Sequence, residues 1–530
     1  MNTINRIPET AINEPFNVHT KISDEAVSLF CRLLDRAVDI YGINLKQSVE
    51  DTVKAALQTQ EISEIAELSG ANCDNNIDSR ILFFSVPGRV NLIGEHTDYN
   101  NCPVLPAAVN REILAVAVPH SVGVIRAADL NPEYGKIEFS FSRYTEKAEP
   151  RKEIPPFETG NWGNYIKAAV NELLCTEFSL KKGYSIVFVS TIPHAAGMSS
   201  SSALVVLSAL VFMEINGIPV RTKKDRLILA EICRKAEWYT GTMGGGMDQA
   251  AILLGEKSCA SKIDFDPLDV KEVPFPDGYT VVVTHSTVEA PKTRRAMDLY
   301  NGRSIECRIA AAIAGEAFRK QYGVTGIVFI GDMNPVKTGL TKEQTDLIVS
   351  GLFHTNYYSL EEAAELMGKT ASYVKEKYCI RKDGTDFPIP EEGFKLFQRF
   401  HHVWSEWNRV ERSVELLLAV DMEGFGQLME ESHRSCRFMH EISCAELDKL
   451  TDLAQEAGAL GSRLTGAGFG GCAVNLVKTH DVSGFIRQIK KTYYLDYLGI
   501  PEEESVKYIF PVHPVQGAGV LGFVKLQETE

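Results

Sequence analysis

The chain has 530 residues, 44% hydrophobic and 24% charged, with a formal net charge of −15 and a pI near 5.4. This length exceeds one ordinary core, because domains usually have about 100 to 200 residues. The acidic balance argues against the basic surface that binds nucleic acid or anionic membranes, so we expect neither partner.

The cysteines and the first residues of the chain indicate its compartment. The eleven cysteines are scattered, and no Cys-x-x-Cys occurs. This pattern predicts thiols in a reducing compartment and neither a disulfide framework nor a zinc site. The first residues lack the apolar region of a signal peptide, and no apolar run approaches the roughly 18 residues that span a bilayer. We therefore expect a cytoplasmic protein, and we expect it to be a monomer.

In the first half of the chain, the apolar spacing predicts helices and strands in turn. Residues 1–80 are predicted to form a mostly helical extension, with helical spacing from Ala26 to Ile40. A long apolar helix is predicted to begin within Ser199–Ser202, and a polar amphipathic helix to cover residues 224–239. The predicted strands are Ile81–Val86, Ile113–Val118, Tyr184–Val189 and Tyr279–Thr284.

The second half is richer in helix. The predicted helices are Arg303–Tyr322, Leu360–Tyr378, Gly393–Val420, Met422–His433 and Cys444–Ala457. Two short strands, Cys472–Val477 and Tyr508–Val512, are predicted near the end. Because strands and helices mix without regular βαβ alternation, the pattern predicts an α+β fold with two lobes that meet near residues 275–280.

A dense group of polar side chains follows the first predicted strand. The apolar run ends at Pro87-Gly88, and the next dozen residues include Arg89, Asn91, Glu95, His96, Asp98 and Tyr99. Carboxylates accept hydrogen bonds from hydroxyls, while Asn and His can both donate and accept. A solvated turn is the simpler interpretation. The interspersed glycines and the single arginine favour a binding site for a small polyhydroxylated molecule.

Four consecutive serines, Ser199–Ser202, join a predicted strand to the long apolar helix. The first N–H groups of a helix are free, and the helix dipole favours an anion beside them. A serine hydroxyl can also bind Mg²⁺. Simple N-capping by Ser199 is the alternative. Four serines after Pro-x-x-x-Gly favour a phosphate site.

Two further segments are rich in glycine. In Gly461–Cys472, four of the last seven residues are glycine, which lets the backbone approach a ligand closely. A strand is predicted after it, which excludes a dinucleotide fingerprint, and a tight strand-to-strand turn is the alternative. In Gly244–Gln249, Asp248 follows three glycines, and Glu237 lies upstream on the polar helix. These carboxylates suit a general base or a metal ligand, unless Asp248 only caps the next helix.

Taken together and in this order, these segments resemble the small-molecule kinases of the GHMP family. Residues 87–100 are similar to the galactokinase signature almost letter for letter, and residues 197–203 and 461–472 resemble the second and third family motifs. The resemblance covers roughly residues 80–525. It implies an N-terminal lobe like domain 2 of ribosomal protein S5 over 81–278 and a ferredoxin-like C-terminal lobe over 279–530. The active site would lie in the cleft between them.

The resemblance also implies roles for individual residues. Asp248 would act as base toward the anomeric hydroxyl of a sugar, with Arg89 beside it. The sugar would be bound by Arg89, Glu95, His96, Asp98, Gly245, Asp248 and Tyr300. ATP would be bound by Gly197, Met198, Ser199, Ser200, Ser201, Ser202, Ala203 and, near the nucleotide, Trp162. Mg²⁺ would be held by Ser201 and Glu237.

The implied reaction is the ATP- and Mg²⁺-dependent phosphorylation of galactose to galactose 1-phosphate. Two alternatives stay open. The four-serine form and the loop before Asp248 resemble N-acetylgalactosamine kinases, whereas Thr97 and Asn100 resemble galactose-specific enzymes. Some large relatives are catalytically silent sensors that bind galactose and ATP and contact a transcription regulator. The full-length serine motif and Asp248 argue against a sensor.

Overall fold

A computed structural model describes residues 24–41, 80–144, 153–193, 196–241, 244–288, 294–381 and 384–525. Within these ranges the strands are β1 (Arg80–Ile93), β2 (Leu105–His120), β3 (Val124–Asp129), β4 (Lys136–Ser140), β5 (Gly183–Ser190), β6 (Cys259–Asp264), β7 (Asp269–Pro274), β8 (Tyr279–His285), β9 (Gly461–Thr465), β10 (Cys472–Lys478), β11 (Ile509–Val512) and β12 (Gly519–Lys525).

The α-helices of the same ranges are α1 (Asp24–Tyr41), α2 (Gly163–Leu173), α3 (Ser200–Ile215), α4 (Lys223–Glu237), α5 (Met247–Leu254), α6 (Arg294–Tyr322), α7 (Pro335–Thr338), α8 (Lys342–Ser350), α9 (Leu360–Leu366), α10 (Ala371–Tyr378), α11 (Leu396–Leu418), α12 (Met422–Ser435), α13 (Ala445–Glu456), α14 (Val482–Ile489) and α15 (Glu502–Ser505). Helix α1 confirms the predicted helix from Ala26 to Ile40. The remainder of the predicted N-terminal extension lies outside the described residues.

The first sheet has the strand order β12-β1-β2-β5-β3-β4, and its pairs are antiparallel except for β3 with β5. Strand β1 is buried on both faces. Leu82 and Phe84 lie in the main core, whereas Ile81 and Phe83 pack against Phe30 of α1. Successive side chains of a strand point to opposite faces, so burial on both sides explains the unbroken apolar run of this segment.

Helix α3 lies in the middle of the first lobe. It packs on β1, β2 and β5 and beside α2 and α4, and its side chains from Ser202 to Met213 are buried all round. A helix without a polar face is stable in such a surrounded position. Its start at Ser200 confirms the predicted start within the serine run.

The second sheet is antiparallel, in the order β11-β8-β10-β9. Helices α13 and α14 pack on it through residues such as Leu450 and Phe485. A separate apolar cluster joins α6, α11 and the short helices between them, through Phe318, Val374 and Phe400 among others. This mixture of antiparallel sheets and helical layers is α+β, as predicted.

The first sheet takes one strand from the end of the described chain. Strand β12 pairs with β1 from Arg80↔Lys525 to Ser85↔Gly519, although the sequence placed residues 279–530 together in the second lobe. A single division at residue 278 therefore does not separate the two sheets. We propose that the first lobe consists of residues 81–278 together with β12.

Some elements differ from the sequence prediction. The prediction of one helix over Leu360–Tyr378 is wrong, because Gly368 has a positive φ of 63° and Thr370 caps a new helix, α10. Helix α6 begins earlier than predicted, at Arg294. The short strands β3, β4, β6, β7, β9 and β12 were not predicted. Among the described helices, none combines the length and apolar character needed to cross a bilayer.

Candidate active site

Strand β1 carries the first half of the polar segment. The sequence predicted the strand to end at Pro87-Gly88, but it continues to Ile93 through a register shift between these two residues. Proline lacks an N–H donor and is tolerated in a sheet at such a bulge. Arg89 and Asn91 are therefore strand residues with fixed backbone directions, and the turn begins only at Gly94.

Three motifs meet at the bulge. A Cβ atom on Gly88 would lie 2.8 Å from the carbonyl oxygen of Met198, and the N–H of Arg89 donates to that oxygen at 3.3 Å. Gly197, with a φ of +68°, lies equally close to the third motif, because a Cβ there would be 2.5 Å from the Thr465 carbonyl oxygen. The strand, the serine segment and the glycine-rich turn thus touch backbone to backbone, which only glycine permits.

Arg89 and Asp248 form the centre of this meeting point. Nε and Nη2 of Arg89 each lie 2.8 Å from Oδ1 of Asp248, and Nη1 donates to the carbonyl oxygen of Gly197. The hydroxyls of Ser199 and Ser202 donate to the other oxygen, Oδ2. The side chain of Arg89 is 5% exposed and that of Asp248 is 24% exposed. The carboxylate is therefore fixed by a cation on one side and reachable on the other.

The serine segment does more than cap a helix. Ser199 has a left-handed φ of 60°, and its side chain makes no capping hydrogen bond to α3. It donates to Asp248 instead. The alternative that Ser199 only caps the helix is therefore wrong, and the first N–H groups of α3 lack a side-chain cap from this residue.

Glu237 at the end of α4 lies near Asp248. Burial first, and the charge of Asp248 second, raise the pKa of Glu237 to about 7, while Ser202 and Gln249 hydrogen-bond to it. Its Oε1 is buried without a hydrogen-bond partner among the described residues. An unpartnered carboxylate oxygen beside a second carboxylate and a hydroxyl is a donor set that suits Mg²⁺, which also binds substrate phosphates.

The structure places Ser202, rather than the predicted metal ligand Ser201, against both carboxylates. Consecutive residues of a helix point about 100° apart, so the two hydroxyls have different neighbours. The assignment of Ser201 to the metal stays a prediction, and Ser202 is an additional residue beside Glu237. Within the described ranges, no three His, Cys, Asp or Glu side chains form a metal cluster by themselves.

The turn after β1 joins the glycine loop before α5. Asp98 accepts hydrogen bonds from the backbone N–H groups of Gly245, at 3.1 Å, and Met247, at 3.5 Å. Burial and the nearby charge of Asp248 raise the pKa of Asp98. A Cβ on Gly245 would lie 2.2 Å from the carbonyl carbon of Asp98, so this position admits only glycine. The structure therefore brings Asp98, Gly245 and Asp248 together, and their role in binding a sugar stays a prediction.

His96 is buried with both ring nitrogens engaged. Nε2 lies 3.1 Å from the carbonyl oxygen of Ala467, which only accepts, so Nε2 carries the hydrogen. Nδ1 then accepts from the hydroxyl of Tyr99, at 2.8 Å, and that hydroxyl accepts from His440. Burial lowers the pKa of His96 to about 3, so the ring is neutral. A direct bond from His96 to a sugar would replace one of these contacts.

Tyr300 and Trp162, the aromatic residue predicted near the nucleotide, have different neighbours. The Tyr300 ring lies 5.0 Å from the His96 ring and 5.8 Å from the Tyr99 ring, between centroids. The Trp162 ring packs on Phe188, and its Nε1 donates to the carbonyl oxygen of Tyr134. Tyr300 thus lies beside the turn after β1, whereas its sugar role and the nucleotide role of Trp162 stay predictions.

Sequence reasoning missed Arg463 in the third motif. This fully buried side chain pairs with Oε2 of Glu95, Nη2 to oxygen, at 2.9 Å. It also donates to the carbonyl oxygen of Asn91, while the hydroxyl of Thr465 accepts from the Asn91 N–H at 2.9 Å. Because β9 was not predicted as a strand, the local pattern gave no signal that Arg463 is buried and needs a buried partner. The third motif therefore contacts the turn after β1 as well as the serine segment.

Three family models match segments of the chain. The family model described as the galactokinase galactose-binding signature matches residues 75–119. The GHMP kinases N-terminal domain matches residues 164–256, and the GHMP kinases C-terminal model matches 413–495. Each contains or adjoins elements of the site described above, including β1, α3, α5 and β9.

Galactokinase from Dictyostelium discoideum is 31% identical over 490 residues, which cover 84% of this chain and 91% of that protein. The chain belongs to the galactokinase family of GHMP kinases. Galactokinase from Candida parapsilosis is 30% identical, covering 83% of this chain and 91% of the relative. The crystal structure of Lactococcus lactis galactokinase complexed with galactose superposes with a TM-score of 0.62 at 26% identity, covering 87% of this chain and 99% of that one. The predicted family and its two-lobed α+β fold are confirmed.

Proposed function

We propose that this chain transfers the γ-phosphoryl group of ATP to the anomeric hydroxyl of galactose, giving galactose 1-phosphate and ADP. The Arg89–Asp248 pair carries the proposal, because it lies where three segments meet. These are the turn of residues 94–100, which we call the sugar turn, the serine segment and the third motif. A sugar kinase needs a carboxylate at the boundary between its sugar and phosphate subsites. Asp248 occupies such a boundary, with Asp98 and Gly245 on one side and the start of α3 on the other.

Asp248 receives the hydroxyl proton in the proposed mechanism. The anomeric hydroxyl replaces the serine hydroxyls at Oδ2 and donates to it. Its oxygen then forms the new bond to the γ-phosphorus, while the bond from that phosphorus to the β–γ bridging oxygen breaks and ADP leaves. A carboxylate is a weak base for a sugar hydroxyl, so the proton passes late, once the new O–P bond has acidified it. Arg89 keeps the carboxylate oriented and offsets charge on the moving phosphoryl.

The residues from Gly197 to Ala203 would receive the ATP phosphates. The N terminus of α3 supplies free N–H groups and a favourable dipole, and four hydroxyls lie beside them. Glu237 and Ser201 would hold Mg²⁺, with Ser202 adjacent, in agreement with the unpartnered Oε1 of Glu237. When bound, this ion supplies positive charge to the β- and γ-phosphates.

Galactose is the favoured sugar. The galactose-binding signature matches residues 75–119, and the curated relatives named above are galactokinases. The sensor alternative is disfavoured because Ser199 and Ser202 are both present and both contact Asp248. We also propose that the protein acts as a cytoplasmic monomer.

An ATP-consumption assay with galactose, N-acetylgalactosamine, arabinose and glucose tests the function. We expect turnover with galactose and none in a galactose-free control. Preferred turnover of N-acetylgalactosamine would make that sugar the substrate, and the proposed phosphoryl transfer would be unchanged. Galactose binding by calorimetry without turnover of any sugar would favour the sensor.

A further inference from the structure

Helix α11 approaches the sugar turn from the second half of the chain. Three of its residues, His402, Glu406 and Val410, are spaced four apart and therefore share one face of the helix. All three are completely buried. Each contacts the backbone of residues 94–95, which follow the end of β1 and precede His96.

Glu406 binds the N–H side of this turn. Its Oε1 accepts from the backbone N–H of Gly94, at 2.9 Å, and from that of Glu95, at 3.3 Å. Ser432 donates to the same oxygen, and Arg409 donates to Oε2 at 2.7 Å. Burial alone would raise the pKa of Glu406, but the positive charges of Arg409 and Arg463 and the hydrogen bond from Ser432 lower it to about 2. The two backbone donors therefore face an acceptor that is negatively charged at neutral pH.

His402 binds the carbonyl side of the same turn. Its Nε2 lies 2.9 Å from the backbone carbonyl oxygen of Glu95. A carbonyl oxygen only accepts, so Nε2 donates, and Nδ1 accepts from the hydroxyl of Ser435 at 2.9 Å. Together, two side chains on one face of α11 satisfy this short backbone segment. Glu406 accepts from its two N–H groups, and His402 donates to its carbonyl oxygen.

Val410 closes the remaining space at Gly94. This glycine has a φ of +101°, and a Cβ there would lie 2.9 Å from Cγ2 of Val410 and 2.9 Å from Cα of Val104. The turn is therefore confined by packing as well as by hydrogen bonds. Its orientation fixes the direction of the Glu95 side chain, which meets Arg463, and of His96, which follows with a φ of 60°.

We propose that His402 and Glu406 are positioning residues for galactose, acting through the backbone of residues 94–95. This inference rests on the proposed function, since it concerns the sugar pocket of the same site. Both side chains use their polar atoms on the turn and on neighbouring protein groups. Loss of either should therefore weaken galactose binding and leave ATP binding nearly unchanged.

Paired variants of His402 test the proposal. His402→Phe keeps a buried ring without hydrogen bonds, whereas His402→Gln keeps an N–H donor near the position of Nε2. We expect His402→Phe to raise KM and Kd for galactose by about tenfold or more, because small displacements of binding groups have large effects. His402→Gln should recover much of that loss, and KM for ATP should change less than about twofold in both.

Glu406→Met and Glu406→Gln form a second pair of variants, which tests the positioning role if His402→Phe does not fold. Methionine removes the acceptor, and glutamine retains an oxygen for the two N–H groups, so only Glu406→Met should lose galactose affinity strongly. Glu415→Gln is the control, because Glu415 lies on the exposed side of the same helix and its side chain pairs with Arg412. It should match the wild type.

Folded His402→Phe and Glu406→Met proteins with wild-type galactose affinity would overturn the proposal. An equal rise in KM for both substrates would do the same, because it would indicate general destabilisation. A wild type that binds galactose without turnover would overturn the proposed function alone, since Kd values of the variants still test this inference. A wild type that does not bind galactose would overturn both.

Discussion

Arg89 and Asp248, 159 residues apart in the chain, are joined by two donors to one oxygen, Nε and Nη2 to Oδ1, each at 2.8 Å. This arrangement leaves Oδ2 for hydroxyl groups, and those of Ser199 and Ser202 donate to it. The pair thus ties a strand of the sheet to the start of α5 and orients the carboxylate. The first two predictions follow from this geometry.

Asp248→Asn should abolish turnover while leaving galactose binding measurable. The amide is the same size, but it cannot take the hydroxyl proton, and general-base groups contribute about 10² to 10⁴-fold to rate. The measurements are kcat by ATP consumption and Kd for galactose by calorimetry. Undiminished kcat would remove Asp248 from the mechanism.

Arg89→Lys should lower kcat by roughly tenfold or more, although the charge is retained. Lysine has a single ammonium group and cannot contact Asp248 through two nitrogens while donating to the Gly197 carbonyl oxygen. Steady-state kinetics with both substrates give kcat. A lysine variant as fast as the wild type would mean that only the charge of Arg89 matters.

Gly245→Ala should raise KM for galactose strongly. The new methyl group would lie 2.2 Å from backbone atoms of Asp98 and Tyr99, so Asp98 must move. Gly244→Ala is a matched control, because a Cβ there has no neighbour within 4 Å among the described residues. Equal KM values for the two variants would contradict a role for Asp98 in the sugar pocket.

Glu237→Gln should raise the Mg²⁺ concentration that gives half-maximal rate. Loss of one carboxylate charge weakens an oxygen site for this ion, by roughly tenfold or more. Chelation of the metal should stop turnover of the wild type, and added Mg²⁺ should restore it. An unchanged Mg²⁺ titration of Glu237→Gln would place the ion elsewhere.

Acid should destabilise the protein through its buried histidines. Burial lowers the pKa of His402 to about 4, from the 6.5 expected when unfolded. The unfolded chain therefore binds more protons between these values, so stability is full above pH 6.5 and falls as the pH drops toward 4. Urea unfolding from pH 7 to 4.5 should show a shallower loss for His402→Gln than for the wild type. Identical slopes would mean that His402 does not contribute.

Local patterns singled out the segments that the structure brings together around Arg89 and Asp248. The start of α3, the carboxylate after three glycines and the polar group beyond β1 each involve neighbours in sequence, so spacing and composition were enough. The end of β1 was misplaced because Pro87 normally breaks a strand, and only the register of β2 reveals the bulge.

The contacts that fix the site could not be predicted in the same way. Arg463 and Glu95 are 368 residues apart, and His402 and the Glu95 carbonyl oxygen are 307 apart. In the sequence their side chains look ordinary, since one is a histidine within a predicted helix and the other an arginine in a glycine-rich segment. The packing of both lobes determines which partner satisfies a buried polar group. The spacing of residues within one segment does not predict that partner.

The pairing of β12 with β1 has a consequence for biosynthesis. During translation, the ribosome releases β1 long before residues 519–525, so one edge of the first sheet stays unpaired until the last described strand emerges. An unpaired edge of apolar strand attracts other chains. Nascent chains stalled before β12 should therefore depend on chaperones, and deletions near this strand should reduce soluble yield by harming a lobe encoded mostly by the first half of the sequence.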